Sequence, residues 1–220
     1  ELWVETLVAQ NTIATIGGRI LVGPTTVLTS DRSPQVATPA APTVTPVGTV
    51  GTTTYSYRIT ATDADGQTLA STAGTTTTGN ATLSATNYNT VAWTAVTGAS
   101  GYKVYGRTSG GELYMVAVTG TSYNDTGAVT PAGALPSANT TASTIYVKHN
   151  EMTTGDRAYL EAEGKVEFIS IDSVPGGTGP YSYTVTRNLD GSGSNDWYAG
   201  DALFNTGTTG DGFIDLYSLR

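Results

Sequence analysis

The sequence predicts an all-β protein in which a small barrel-like domain, built from both ends of the chain, carries an inserted β-sandwich. Three observations indicate this fold. Apolar and polar residues alternate along residues 102–107 and 113–118, on either side of a Ser-Gly-Gly turn, as in antiparallel strands with one wet face. Short β-rich runs separated by turn residues recur in the rest of the chain. Two Pro-rich segments set a central block apart.

The composition excludes several classes of function. The 220-residue chain has no cysteine and a formal net charge of -8. It therefore has no disulfide or cysteine nucleophile, and it lacks the clustered Lys and Arg that bind nucleic acid. No apolar run is long enough to span a membrane, and no secretory signal pattern is present. Because Glu1 is too bulky to follow a removed initiator Met, we expect a piece of a longer protein.

The two Pro-rich segments, residues 33–43 and 130–142, predict linkers with polyproline tendency. They leave a head of about thirty residues that is too short to fold alone. We therefore predict that residues 1–31 and 144–220 form one attachment domain, and that residues 32–143 are inserted into it. Docking of the head on neighbouring subunits is the alternative.

The central block begins with a predicted strand at residues 54–62, which a hairpin turn at residues 63–67 follows. A second strand is predicted at residues 91–96. The tail contains four more β-rich runs separated by Gly-containing turns. Their predicted ranges are 144–149, 157–161, 165–172 and 181–187.

The head is predicted to form a strand, a turn at residues 15–18 and a second strand at residues 19–22. Its first nine residues place apolar side chains on both faces, and a two-stranded ribbon cannot bury both faces by itself. We therefore predict subunit contacts through these side chains. They belong to Leu2, Trp3, Val4, Leu7 and Val8.

The central block resembles the fibronectin type III-like modules found in bacteriophage tail proteins and bacterial surface enzymes. The resemblance rests on WTAVTGASGYKVY at residues 93–105 and VTGTSYNDTG at residues 118–127. The segment YSYRITATDADG at residues 55–66 is similar to the last hairpin of such modules, but it comes first here. The resemblance therefore implies a permuted sandwich.

The tail resembles a small β-barrel pattern of phage tail tip, central fibre and baseplate proteins. It shares a Gly-Asp turn in TGDRAYLE, a hairpin in TVTRNLDGSG and a second turn in AGDALF. This resemblance implies a non-enzymatic virion protein that assembles with other tail proteins and with copies of itself, a trimer by analogy with fibres. No cofactor is expected. Contact with a host-surface glycan is left open.

Candidate catalytic residues are few. His149 is the only histidine, and no nucleophile elbow accompanies it. The carboxylates of Glu161, Glu163 and Glu167 are spaced around a turn, where they are expected to keep a strand edge soluble. A glycan hydrolase that uses two of them remains an alternative, but we predict no enzyme.

Two acidic loops have the oxygen-rich composition of calcium sites. The first loop contains Asp63, Asp65 and Gly66, and turn formation accounts for it. The second contains Asn188, Asp190, Asn195 and Asp196. Neither loop has the spacing of a complete calcium motif, so no metal is predicted and these residues stay weak candidates.

The aromatic residues divide into two sets. Trp93, Tyr102 and Tyr105 occupy strand positions that suit a sandwich core. A second set lies near turns, where amphipathic rings suit stacking on a glycan. It consists of Tyr114, Tyr123, Trp197 and Tyr198. These rings support the alternative function, a carbohydrate-binding or adhesive module of a bacterial cell-surface protein.

Overall fold

The computed structural model describes residues 13–16, 19–22, 26–150, 152–176, 178–191 and 193–207. Residues 13–16, 19–22 and 207 are described by their backbone alone. The described residues contain β-strands and no helix, which confirms the predicted all-β fold. None of them belongs to a helix with the length and apolarity to cross a membrane. The strands are β1 (Ile13–Ile16), β2 (Arg19–Val22), β3 (Thr26–Val27), β4 (Thr43–Val47), β5 (Thr53–Thr62), β6 (Gly74–Gly79), β7 (Tyr88–Ala92), β8 (Gly101–Arg107), β9 (Leu113–Val118), β10 (Ser122–Asp125), β11 (Thr144–Val147), β12 (Arg157–Ala162), β13 (Lys165–Ser173), β14 (Tyr181–Thr186) and β15 (Ala202–Gly207).

The chain divides into two compact units. The first combines Glu1–Pro34 with Thr144–Arg220, and the second is Gln35–Ser143. Each unit has its own cluster of buried apolar side chains.

The first unit contains a small six-stranded barrel. Its strands follow the order β11-β14-β13-β12-β15-β3, and neighbouring strands are antiparallel. The barrel closes where Leu28, directly after β3, pairs with Val147 of β11. Two backbone hydrogen bonds flank this pair, from Thr29 to Tyr146 at 2.8 Å and from Lys148 to Val27 at 3.1 Å. Closure leaves no free sheet edge at this junction.

Buried and accessible side chains alternate along the barrel strands, so one face of each strand points to the interior and the other to the surface. Ala158 and Leu160 of β12 are buried inside with Ile169 of β13, whereas Glu161 is exposed. The β12–β13 hairpin turns through Glu163 at φ 50° and Gly164 at φ 80°. Two consecutive positive φ values make a two-residue turn that matches the strand twist, which confirms the turn predicted here.

The second unit is a β-sandwich of a three-stranded sheet, β10-β7-β4, and a four-stranded sheet, β6-β5-β8-β9. Side chains from both sheets share one core, with Tyr57 and Ile59 from β5 and Val91 from β7. Trp93 packs edge-to-face on Tyr102 with ring centroids 5.5 Å apart. These two rings, and Tyr105 at 2% exposure, are buried as predicted.

The predicted strand at residues 91–96 lies three to four residues too far along the chain, since β7 spans Tyr88–Ala92. The backbone N–H of Trp93 still donates to the carbonyl of Thr121, at 3.0 Å. Residues 93–96 are also typical of strands in composition, although the last residue of β7 is Ala92. Composition alone therefore misplaces the end of this strand.

Both Pro-rich segments, predicted as linkers with polyproline tendency, contain residues that pack on the sandwich. Pro39 and Pro42 are buried. The N–H of Val36 donates to the hydroxyl of Thr141 at 2.9 Å, and the side chain of Asn139 donates to the carbonyl of Val36 at 3.0 Å. The first and last segments of the second unit are therefore hydrogen-bonded to each other.

The head contains an antiparallel pair of strands, β1 and β2, in which Ile16 faces Arg19. The second predicted strand is present. Residues 15 and 16, which were predicted as turn, instead belong to β1. The predicted subunit contacts Leu2, Trp3, Val4, Leu7 and Val8 lie outside the described residues.

Candidate functional site

The outer face of the barrel carries three aromatic rings in contact, which we call the ring row: Phe168 on β13, Tyr159 on β12 and Phe204 on β15. Strand register places Tyr159 opposite both phenylalanines. The Tyr159 ring stacks on Phe204, with centroids 4.8 Å apart and an interplanar angle of 10°. It meets Phe168 at 5.9 Å.

The ring row is partly open to solvent. Phe168 exposes 42% of its surface, and Val166, two residues earlier on the same strand, exposes 40%. A contiguous exposed apolar patch is typical of an interaction surface. This patch is absent from the sequence predictions, although its signal is present in the alternation: Tyr159, Phe168 and Phe204 are each next to a residue that faces the core.

A buried ion pair lies inside the barrel. Glu167 and Arg187 have fully buried side chains, and their closest charged atoms are 2.7 Å apart. Arg187 donates through Nε and Nη2 to the two carboxylate oxygens, at 2.9 and 2.7 Å. Such a two-pronged contact is strong and directional. The prediction that Glu167 keeps a strand edge soluble is therefore wrong, because its neighbours on β13 alternate and position 167 points inward.

Trp197 completes this buried cluster. Its indole Nε1 donates to Glu167 Oε2 at 2.6 Å, and the backbone N–H of Asn195 donates to the same oxygen at 3.0 Å. Trp197 exposes only 1% of its surface, so its predicted role in glycan stacking is wrong. Its backbone pairs with Arg32 in both directions, at 2.7 and 2.9 Å.

The sandwich carries a cleft of about 670 Å³ at one end of its four-stranded sheet. The walls come from the start of β5, the end of β8, the turn at residues 108–111 and Pro131. Leu113 lines the cleft and exposes 40% of its surface. The volume lies within the roughly 300–1,000 Å³ of small-ligand pockets.

Arg107 lines this cleft, and a buried carboxylate neutralises its charge. Its guanidinium contacts Asp125 through Nε at 2.5 Å and Nη2 at 2.8 Å. Asp125 also accepts a hydrogen bond from the Tyr57 hydroxyl at 2.8 Å. Burial and, next, the negative charge of Asp125 raise the pKa of Tyr57. The hydrogen bond to Asp125 raises the pKa of Arg107, so Arg107 keeps its charge while the phenol of Tyr57 stays neutral.

The remaining rings predicted to contact a glycan do not form one platform. Tyr114 lies on β9 and Tyr123 on β10, which belong to different sheets of the sandwich. Both are half-buried, and Tyr114 packs edge-to-face on Tyr105 at 5.8 Å. Tyr198 belongs to the other unit and exposes 55% of its surface. Tyr198 stays an accessible candidate.

The loop of weak calcium candidates is organised by its own hydrogen bonds. The Asn188 side-chain oxygen accepts from the N–H of Gly193 at 2.7 Å, and the carbonyl of Asn195 accepts from Arg187 at 2.7 Å. Asp190 and Asp196 are exposed. The described residues contain no group of three His, Cys, Asp or Glu that would hold a metal ion.

Asp63, from the first acidic loop, has a structural use. One carboxylate oxygen accepts from the N–H of Asp65 at 2.9 Å and of Gly66 at 2.8 Å. The other accepts from the N–H of Ala142 at 2.7 Å. The carboxylate therefore builds the hairpin turn and fixes residue 142 beside it.

The other candidate catalytic groups are dispersed. Glu161 and Glu163 are exposed on the β12–β13 hairpin, whereas Glu167 is inside the barrel. His149 is exposed, and its backbone N–H donates to the hydroxyl of Thr26 at 3.0 Å. The structure therefore does not bring Glu167 together with the two exposed glutamates as an accessible pair.

Comparison of this chain with known protein families, with curated proteins and with solved structures finds no match.

Proposed function

We propose that this protein is a non-enzymatic structural component of a bacteriophage tail, from the tail tip, the central fibre or the baseplate. In this role the barrel attaches to copies of itself, as a trimer, and to other tail proteins. The motifs TGDRAYLE and AGDALF, which resemble those of tail proteins, support the location in the virion.

The ring row is the observation that carries the proposed assembly role. Phe168 exposes 42% of its surface in contact with a second ring, and covering apolar surface of this kind favours association. The three side chains stand on neighbouring strands of a closed barrel, so they are held in fixed positions before binding. A preorganised surface loses little conformational entropy on association.

The buried ion pair supports a mechanical role for the barrel. Glu167 on β13 is joined to Arg187 just after β14 and to Trp197 before β15. Through one carboxylate, these bonds connect β13 with the segment after β14 and the segment before β15. A carboxylate that accepts so many buried hydrogen bonds resists separation of the strands.

The mass of the purified chain in solution tests this proposal. We expect light scattering to give three times 22.6 kDa, and we expect Phe168→Ser to shift the protein toward the monomer. Tyr198→Ser, which changes an exposed ring outside the ring row, serves as the matched control and should remain trimeric. A monomeric native chain, or an unchanged mass for Phe168→Ser, contradicts assembly through the ring row.

Location in the virion needs a separate measurement. Antibodies against the chain, with gold labelling, should mark one end of phage tails in particles released by the bacterium that carries the coding sequence. Label confined to the bacterial surface would instead favour the second candidate, a carbohydrate-binding or adhesive module of a cell-surface protein. The cleft of the sandwich is the observation that favours this candidate.

A further inference from the structure

We propose that the cleft of the sandwich is a binding site for a neutral saccharide. This inference adds a ligand to the proposed function, and it applies whether the chain is part of a virion or of a cell surface.

Four aliphatic hydroxyl side chains line the cleft. Thr53 and Thr54 contribute from β5, and Thr108 and Ser109 from the turn after β8. Solvent reaches all four side chains, because Thr54, Thr108 and Ser109 are exposed and Thr53 is half-buried. Their hydroxyls can therefore donate to and accept from the hydroxyls of a ligand.

The charge of the cleft is balanced. Among the described residues that line the cleft, Arg107 is the only ionisable one apart from the phenol of Tyr55. Two hydrogen bonds join it to buried Asp125. An anionic ligand would find no uncompensated cation, and the net charge of -8 on the chain disfavours its approach. The ligand that fits is therefore uncharged.

The apolar part of the cleft suits the C–H face of a sugar ring. Leu113 and Pro131 line it together with Tyr55, whose hydroxyl is occupied by the carbonyl of Asn80 at 2.8 Å. A ligand that offers many hydroxyls and one apolar face matches both kinds of lining. A saccharide has this combination.

An extended peptide fits the adjacent sheet edge less well. A peptide that adds a strand needs free N–H and C=O groups on an edge strand. On β9 the N–H of Tyr114 already donates to Gly133 at 2.9 Å, and the carbonyl of Tyr114 accepts from Ala132 at 2.8 Å. Residues 132 and 133 therefore occupy the edge that a peptide would use.

Gly111 offers a means of closing the cleft without disturbing the core. It lines the cleft, and a Cβ atom added there meets nothing within 4 Å and needs no left-handed backbone. Gly120 shares both properties and lies outside the cleft. Gly111→Trp and Gly120→Trp therefore form a matched pair.

The experiment is a ligand titration of the full chain followed by methyl and amide NMR. The probes are glucose, galactose and N-acetylglucosamine, with glucuronate and sialic acid as anionic counterparts. We expect at least one neutral sugar to shift the Leu113 methyl and Gly111 amide signals. Its affinity should fall at least tenfold in Gly111→Trp and stay unchanged in Gly120→Trp.

Three results would overturn the proposal: no shift with any neutral sugar, stronger binding of the anionic probes, or equal binding by both tryptophan variants. The last would place the site elsewhere, for example at Tyr198. Each leaves the mass and labelling tests of the proposed function unaffected. A Thr108→Ala, Ser109→Ala double variant provides a second test, since it should weaken binding without adding bulk.

Discussion

Glu167 is a fully buried charged residue inside the barrel. Its carboxylate accepts hydrogen bonds from Arg187, from the indole of Trp197 and from the backbone of Asn195. Glutamine has nearly the same shape, but it offers one acceptor oxygen and turns an amide NH₂ toward groups that are all donors. It also leaves Arg187 buried without a counter-charge.

We therefore expect Glu167→Gln to lower the free energy of unfolding of the barrel by about 3–5 kcal/mol. Urea unfolding in a Trp3→Phe, Trp93→Phe background measures this, because Trp197 is then the only tryptophan of the chain. Glu161→Gln, on the exposed side of β12, is the control and should change the value by less than about 0.5 kcal/mol. Equal effects of the two substitutions would show that the buried pair does not stabilise the barrel.

Glu112 gives the sandwich a predictable response to acid. Burial opposes its ionisation, but hydrogen bonds from the Ser56 hydroxyl and from backbone N–H groups, with the charge of Arg58, prevail and lower its pKa. Because the folded state holds the proton more weakly than the unfolded chain, the stabilisation is complete above the ordinary pKa of 4.5 and is lost as pH falls below it.

Glu112→Gln should make sandwich stability less dependent on pH across this range, while lowering it at pH 7. Urea midpoints at pH 7 and at about pH 3, compared between the native chain and the variant, measure the effect. Glu163→Gln, on an exposed turn, should retain the native dependence. A variant that loses as much stability in acid as the native protein would exclude Glu112 as the responsible group.

For single residues, the sequence predicts burial only where a residue and its near neighbours in the chain determine it. The buried aromatics Trp93 and Tyr102 follow from alternation. Trp197 does not, because the carboxylate that its indole contacts lies thirty residues earlier in the chain. The sequence around Glu167 and the sequence around Trp197 each give no sign that the two side chains are in contact.

Two strands of the barrel, β12 and β15, each begin directly after a Gly-Asp turn, and the two turns share one geometry. In each, the carboxylate accepts from the N–H three residues earlier: Asp156 from Thr153 at 2.9 Å, and Asp201 from Tyr198 at 2.7 Å. The glycine before each aspartate has positive φ, which glycine adopts without strain. The motif is recognisable in sequence because the hydrogen bonds that form each turn join residues three positions apart.

Strand β6 passes very close to the segment before β4, and this approach gives a prediction at the level of the element. A Cβ atom on Gly74 would lie 1.9 Å from the carbonyl oxygen of Pro42, and backbone cannot rotate aside as a side chain does. Gly74→Ala should therefore destabilise the sandwich by about 1–3 kcal/mol, as overpacking does.

Urea unfolding followed by Trp93 fluorescence measures this loss. Gly120→Ala is the matched control, because its added Cβ meets no atom within 4 Å, and it should leave the free energy of unfolding within about 0.5 kcal/mol of the native value. Equal midpoints for the two variants would mean that β6 moves away from Pro42 without loss.

Strands and short turns were predictable because period-two alternation and turn chemistry are local. The composition of the Pro-rich segments predicts linkers because it lacks periodicity, whereas their contacts with the sandwich come from distant partners. Val36 and Thr141 are 105 residues apart in sequence. No local sequence pattern predicts a hydrogen bond between residues so far apart in the chain.

On the scale of the whole molecule, the chain forms two units with separate cores. Closure of the barrel depends on pairing between Leu28 and Val147, on opposite sides of the second unit in sequence. The barrel cannot close until residues 35–143 have been synthesised. We therefore expect the sandwich to fold first during synthesis.

An isolated fragment of residues 35–143 should consequently fold by itself. Its core is complete, and hydrogen bonds of Val36 with Asn139 and Thr141 hold its first and last segments together. Near-ultraviolet circular dichroism should show the ordered environment of Trp93, and the melting temperature should lie within about 5 °C of the sandwich transition in the full chain.

The variant Thr141→Val tests the hydrogen bond that joins the first and last segments of the sandwich. Thr141 is fully buried and accepts from the N–H of Val36, so valine keeps the shape and leaves that N–H without an acceptor. We expect a loss of about 1–3 kcal/mol in the fragment and in the full chain alike. A fragment that is unfolded, or a loss confined to the fragment, would mean that the sandwich depends on the barrel for its order.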